Sequence, residues 1–96
     1  MQYDTPQEPV EGFHAIQQNL VYPEGARKAG VQGTVTIQAK IGEDGTVVDT
    51  KVWVSLVESC DQAAIHAIET VKWIPATNDS KPVEVWVSTH QRFKLK

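Results

Sequence analysis

Residues 34–55, TVTIQAKIGEDGTVVDTKVWVS, constrain the fold of this 96-residue chain more than any other stretch. Side chains along a β-strand alternate between its two faces. Val35, Ile37, Ala39 and Ile41 share one parity, and Thr34, Thr36, Gln38 and Lys40 share the other. Residues 34–41 therefore read as a strand with one dry face and one wet face. GEDG at 42–45 supplies an Asp-Gly turn, a strong hairpin signal. The return strand is expected over about 46–55, with Val48, Val52 and Val54 on one face and Asp49, Lys51 and Trp53 on the other. Val47 breaks that parity, so a bulge is expected near the hairpin end.

A hairpin with one apolar face needs a cover. The segment SCDQ, 59–62, fits a capping box, with Ser59 as N-cap and Gln62 reaching back to it. The helix that follows would bury Ala64, Ile65, Ile68 and Val71 and turn Gln62, His66, Glu69 and Thr70 to water. Pro75 disfavours a helical Ile74 and sets the expected end. A loop, NDSKP at 78–82, leads to a last strand over 83–95. On that strand Val83, Val85, Val87, Phe93 and Leu95 take one parity, and Glu84, Trp86, Ser88, His90, Arg92 and Lys94 the other.

Upstream, Pro6, Pro9 and Gly12 mark residues 1–11 as a flexible arm or linker. Phe13, Ile16 and Leu20 recur at helical spacing and predict a short amphipathic helix over 12–20. Pro23 suits the first turn of a second short helix over 23–29, with Ala26 and Ala29 as a thin packing face and Gly30 as the stop. The fold class is thus α+β in two layers: short N-terminal helices, then β-β-α-β, with one long helix on a three-stranded antiparallel sheet. A crossover that keeps the sheet antiparallel sets the last strand beside the first, giving the order 2-1-3 and leaving the last strand as a long edge.

The net charge of −3 argues against a nucleic-acid or anionic-membrane surface. No stretch approaches the roughly 20 apolar residues of a membrane span, and the first residues lack the apolar core of a signal peptide. If the protein works outside the cytoplasm, its anchoring segment lies outside this chain. One cysteine, Cys60, forbids an internal disulfide. Cys60 and His66 stand about 240° apart around a helix and do not meet, and His14, His66 and His90 fall on three elements without metal-ligand spacing. No glycine-rich phosphate loop is present. These features point to no enzyme, no metal and no cofactor. Trp53 and Trp86 fall on the parity facing away from the helix, either half-covered by Lys and Arg stems, covered by the arm, or forming a partner patch. Trp73 is expected to plug the end of the core.

Taken in order, these segments resemble the C-terminal domain of TonB-type energy transducers, over residues 12–96. The resemblance rests first on Tyr22-Pro23, Ala26-Arg27, Gly30 and Gly33 before the strand, and Asp44-Gly45 in the hairpin. It continues through Val52 and Ser55, Asp61 and Ala64 in the helix, Trp73 and Pro75 after it, and Pro82-Val83 leading to Phe93 and Leu95. The lead-in EGFHAIQQNLVYP is similar to that of Bacteroidetes-type members.

The resemblance implies a periplasmic domain tethered to the inner membrane by a segment absent from this chain. It implies transmission of work from inner-membrane, proton-driven motor proteins to outer-membrane transporters, by gripping a short box peptide near the transporter's N-terminus. Binding is expected by β-augmentation along the last strand, at Trp86, Val87, Ser88, Thr89, His90, Gln91 and Arg92, with Asn19, Leu20, Val21 and Tyr22 as a second candidate contact. A homodimer through exchanged strands is left open, as is an alternative role as an interaction module of a membrane-bound sensor or peptidase protein.

Overall fold

The computed structural model describes residues 6–95. Residues 1–5, most of the first half of the expected arm, lie outside the described residues, as does Lys96 at the end of the expected domain. The element order is β1 (Glu8–Pro9), α1 (His14–Gln18), α2 (Glu24–Lys28), β2 (Gly33–Ile41), β3 (Val47–Val54), α3 (Glu58–Thr70), β4 (Trp73–Ile74), β5 (Ala76–Asn78), β6 (Lys81–Val83) and β7 (Val85–Phe93). The main sheet is antiparallel in the order β3-β2-β7, the 2-1-3 arrangement expected for the three long strands. Two small antiparallel pairs, β1-β4 and β5-β6, stand beside it.

The core lies between α3 and one face of the sheet. Val35, Ile37, Ala39 and Ile41 of β2 are each 0% exposed, so the strict alternation of that strand sets the dry face. From α3 come Cys60, Ala64, Ala67 and Ile68, also buried. Ile65 and Val71, expected in the stripe, are only partly buried, while Cys60 and Ala67 take central places. Small residues there let the helix approach the sheet closely.

The bulge expected near the hairpin end is present. Lys40 pairs with Asp49 and Ile41 with Val47, which leaves Val48 as the extra residue. The consequence corrects the expected faces. Val47 packs against the core and Val48 is exposed. A second shift pairs Ile37 with Val52 and Thr36 with Val54. Val54 therefore lies opposite a wet-face residue, and Trp53 becomes the supernumerary one.

Helix α3 departs from its expected ends at both termini. It begins at Glu58 with Val57 as N-cap, and no side chain caps it there. Asp61 instead reaches back, accepting a hydrogen bond from Leu56 N–H at 3.0 Å and one from the Ser55 hydroxyl. The capping box of Ser59 and Gln62 is not formed, because Asp61 ties the helix start to the end of β3. At the other end, Val71 is extended (φ −94°, ψ 149°) and the helix closes at Thr70, before the limit set by Pro75. The chain leaves the helix to pair Trp73 N–H with Gly45 O at 3.2 Å, while Lys72 O receives Val10 N–H at 2.8 Å. Trp73, 3% exposed, closes the core as expected.

Residues 78–82, expected as a loop, hold a tight hairpin. Asn78 pairs with Lys81, and Asp79 and Ser80 both take positive φ (53° and 64°), the twist-matched turn geometry of two-residue hairpins. The expected strand over 83–95 is accordingly split: β6 pairs with β5, Glu84 is the break, and β7 runs on along β2. Helix α1 is shorter than expected, with Ile16 buried, Leu20 partly so, and Phe13 exposed but edge-on to Trp73 at 5.8 Å between ring centres. In α2, Pro23 is the N-cap rather than the first helical residue, Ala26 is buried and Ala29 is exposed.

Candidate functional site

β3 and β7 are the two edge strands of the main sheet, and among the described residues no strand covers the outer edge of β7. Opposed residues in an antiparallel pair alternate between hydrogen-bonded and non-hydrogen-bonded, so alternate residues of an edge strand point their N–H and C=O groups outward. The parity is marked by Arg92. Its N–H donates to Gln17 Oε1 at 3.1 Å and its C=O accepts from Gln17 Nε2 at 2.8 Å. Arg92 stands opposite Thr34 on β2, so the even-numbered residues of β7 face outward. Trp86, Ser88 and His90 share that parity, and among the described residues no partner takes their outward backbone groups. The odd-numbered residues pair with β2.

Side chains follow the same division. Val85, Thr89, Gln91 and Phe93 point into the core, and Val87 is partly buried. Thr89 and Gln91 are buried polar residues at 4% and 2% exposure. The Thr89 hydroxyl donates to Ile37 O at 3.1 Å, which removes the cost of burying it. Trp86, Ser88, His90 and Arg92 lie on the open face. Trp86 is 40% exposed, with the ammonium of Lys51 5.1 Å and that of Lys40 5.9 Å from its ring centre. Lysine stems therefore half-cover this tryptophan and add cation–π attraction. Lys40 also pairs with Glu84 at 2.8 Å, and that hydrogen bond and charge raise the Lys40 pKa. Trp53, at 68%, stands further out. His90 Nδ1 lies 3.0 Å from the Thr36 hydroxyl.

A groove of about 200 Å³ runs along the edge between α1 and β7, lined by Phe13, Ile16, Gln17 and residues 88–91. A second cleft opens beyond it over Gln17, Thr34, His90, Arg92 and Lys94. Among the named candidates, the backbone of Trp86, Ser88 and His90 lies free along this groove and sheet face. Val87, Thr89 and Gln91 contribute their backbones to β2, and Arg92 is already engaged by Gln17. The second candidate contact is differently placed. Tyr22 donates its hydroxyl hydrogen to Val31 O and packs edge-on against Phe93 at 5.3 Å. Leu20 packs against the core and Val21 is exposed, while Asn19 Nδ2 lies 3.4 Å from the Thr70 hydroxyl. Phe13 and Gln17 are the site residues that sequence reasoning missed. Only the helical periodicity of 12–20 touched them, and it says nothing about which strand edge the helix meets.

Cys60 and His66 are not brought together: the thiol is buried and the imidazole exposed. Burial pushes the Cys60 thiol pKa up, and the Asp61 carboxylate beside it adds to the shift. That is the reverse of what an activated nucleophile requires. Among the described residues no cluster of His, Cys, Asp and Glu is arranged to hold a metal ion.

Residues 18–95 match the family model described as Gram-negative bacterial TonB protein C-terminal. Protein TonB of Vibrio cholerae is 35% identical over 75 residues, 77% of this chain and 31% of that protein. Protein tonB2 of Pseudomonas aeruginosa is 33% identical over 75 residues, 77% of this chain and 28% of that protein. The chain thus spans less than a third of the length of these curated relatives. In fold it is similar to the solution structure of the Pseudomonas aeruginosa TonB C-terminal domain, with a TM-score of 0.71 at 23% identity over 97% of this chain and 90% of that one. The Helicobacter pylori TonB C-terminal domain superposes with a TM-score of 0.65 at 26% identity, over 88% of this chain and 89% of that one.

Proposed function

The chain belongs to the Gram-negative bacterial TonB C-terminal family, and from that premise we propose that it is the grasping end of a periplasmic energy transducer. In this reading it binds the N-terminal box peptide of outer-membrane transporters as an added strand on β7. A membrane-tethered remainder of the protein would connect it to proton-driven motor proteins. The domain itself performs no chemistry; its work is mechanical coupling.

The observation that carries this reading is the open edge at Trp86, Ser88 and His90. Unpaired N–H and C=O groups in a row are a template for an extended peptide. Backbone pairing discriminates weakly between sequences, which suits one transducer serving several transporters. Glu84, Arg92 and Lys94 flank the open stretch with charge, a common guard against indiscriminate edge pairing. Affinity is expected to be roughly micromolar, since a grip that must release after each pull gains nothing from slow dissociation.

A proline scan of β7 tests the reading, because proline removes one N–H and is tolerated where that N–H faces outward. Ser88→Pro and His90→Pro should stay folded and lose binding of a synthetic peptide copied from a transporter's N-terminal segment. Val87→Pro and Thr89→Pro remove ladder bonds to β2 and should unfold the domain. If folded Ser88→Pro and His90→Pro variants bind like the parent, the grip is elsewhere, and residues 19–22 become the site to mutate next.

A further inference from the structure

Gln17 does something at the edge that the general reading of β7 does not require. Its carboxamide carries both an N–H donor and a C=O acceptor, as a peptide group does, and it turns one of its two N–H groups and its carbonyl to Arg92. Arg92 N–H donates to Oε1 at 3.1 Å, and Nε2 donates to Arg92 C=O at 2.8 Å. That is the bonding a residue of a neighbouring strand would make. The two residues are 75 positions apart in sequence, so the contact belongs to the tertiary fold and not to a local turn. Helix α1 is held in place by Ala15 and Ile16, both buried, and Phe13 and Gln17 form one wall of the groove beside residues 88–91.

We propose that Gln17 is a built-in substitute strand residue that closes the outer edge at Arg92 and thereby fixes where a bound partner strand must stop. The inference rests on the edge-binding reading above and names the partner more narrowly. The open window contains Trp86, Ser88 and His90 as its outward residues. With one outward residue in every two, it accommodates an extended segment of about five residues. A partner that continues past His90 in register meets Gln17 and must turn away. The fitting partner is therefore a short extended segment that ends in a flexible or chain-reversing stretch, and Gln17 is a positioning residue for its register.

The test uses nested synthetic peptides of three to nine residues, trimmed from a transporter N-terminal segment, titrated against the parent, Gln17→Ala and Gln17→Met. Methionine keeps the side-chain length without the hydrogen bonds, so it guards against a purely steric effect. In the parent, affinity should rise to about five residues and then level off. In both variants the rise should continue to about seven, as Arg92 joins the window. Without peptide, amide exchange at Arg92 should be about fivefold faster in both variants, the size of one exposed hydrogen bond, with exchange at Ile37 unchanged as the check on folding. The same plateau in parent and variants, with Arg92 exchange accelerated, would overturn the register stop while leaving edge binding intact. Absence of binding by every peptide to the parent would overturn both.

Discussion

Gly45 stands where two constraints meet. Its φ is +82°, and a Cβ there would run into the carbonyl of Trp73. The left-handed conformation alone costs a non-glycine residue roughly 1–3 kcal/mol, and the backbone contact adds to it. Gly30 has a similar φ of +74° but open space around it. Gly45→Ala should therefore lower the urea midpoint clearly more than Gly30→Ala, which isolates the close approach from the conformational strain. The neighbouring Asp44 accepts hydrogen bonds from the Thr46 hydroxyl at 2.7 Å and the Thr46 N–H at 3.1 Å. The hydroxyl bond, followed by the backbone one, lowers the Asp44 pKa. A depressed carboxylate contributes stability that is present above its unfolded pKa and is lost as pH falls through the folded one. Thr46→Val should raise the Asp44 pKa in a carboxyl NMR titration, and it should weaken the turn at neutral pH while leaving strongly acidic conditions little affected. An unmoved Asp44 titration would place the cause of its shift outside the hydroxyl.

Helix α3 is held by few large side chains. Ile68 is its one fully buried isoleucine, at 0% exposure, set in the same core as Ile37 and Phe93. Ile68→Ala should cost about 2–4 kcal/mol, since the alanines around it cannot collapse into the void. A urea midpoint that does not move would refute the packing of α3 on the sheet. The same element shows why strong local signals can mislead. Ser59 and Gln62 match a capping box, yet Asp61 beside them bonds Ser55 and Leu56. A carboxylate that satisfies two donors while joining two elements outcompetes a reciprocal cap that serves only the helix. Ser55 and Asp61 thus have a shared structural task, the joint between β3 and α3.

Across the whole molecule, the tryptophans report on three environments. Trp53 is 68% exposed, Trp86 40% and Trp73 3%. Acrylamide should quench Trp53 strongly, Trp86 partly and Trp73 hardly at all, as resolved by single Trp→Phe variants. The lead-in contributes to that protection. Pro9 pairs with Trp73 and Glu8 with Ile74, Val10 N–H bonds Lys72 O, and Phe13 meets the Trp73 ring edge-on. Deleting residues 1–11 in a background of Trp53→Phe and Trp86→Phe should make Trp73 quenchable and lower the unfolding midpoint. An unchanged Trp73 would assign its shielding to α3 and the hairpin turn alone. The segment thus acts as more than a spacer: where its composition suggests an arm, residues 8–10 are tied to the end of the core.

What the amino-acid order determines here is whatever depends on near neighbours. The period of two in residues 34–41 chooses the dry face, the Asp-Gly turn closes the hairpin, and the misplaced Val47 announces the bulge. The ordered run from Tyr22 to Leu95 is specific enough to identify the family. Tertiary structure decides what depends on residues distant in sequence. Proline at 75 limits α3 but does not end it; the pairing of Trp73 with Gly45 and of Lys72 with Val10 does. Parity marks which side chains of residues 85–93 face the core, yet it cannot say which backbone groups of an edge remain open. That depends on Gln17, whose polar position in a five-residue helix carries no local sign that its amide will meet Arg92. Hydrophobic alternation is written residue by residue because burial of each side chain has its own free energy. The satisfaction of an edge hydrogen bond is decided only when two distant segments arrive at the same place.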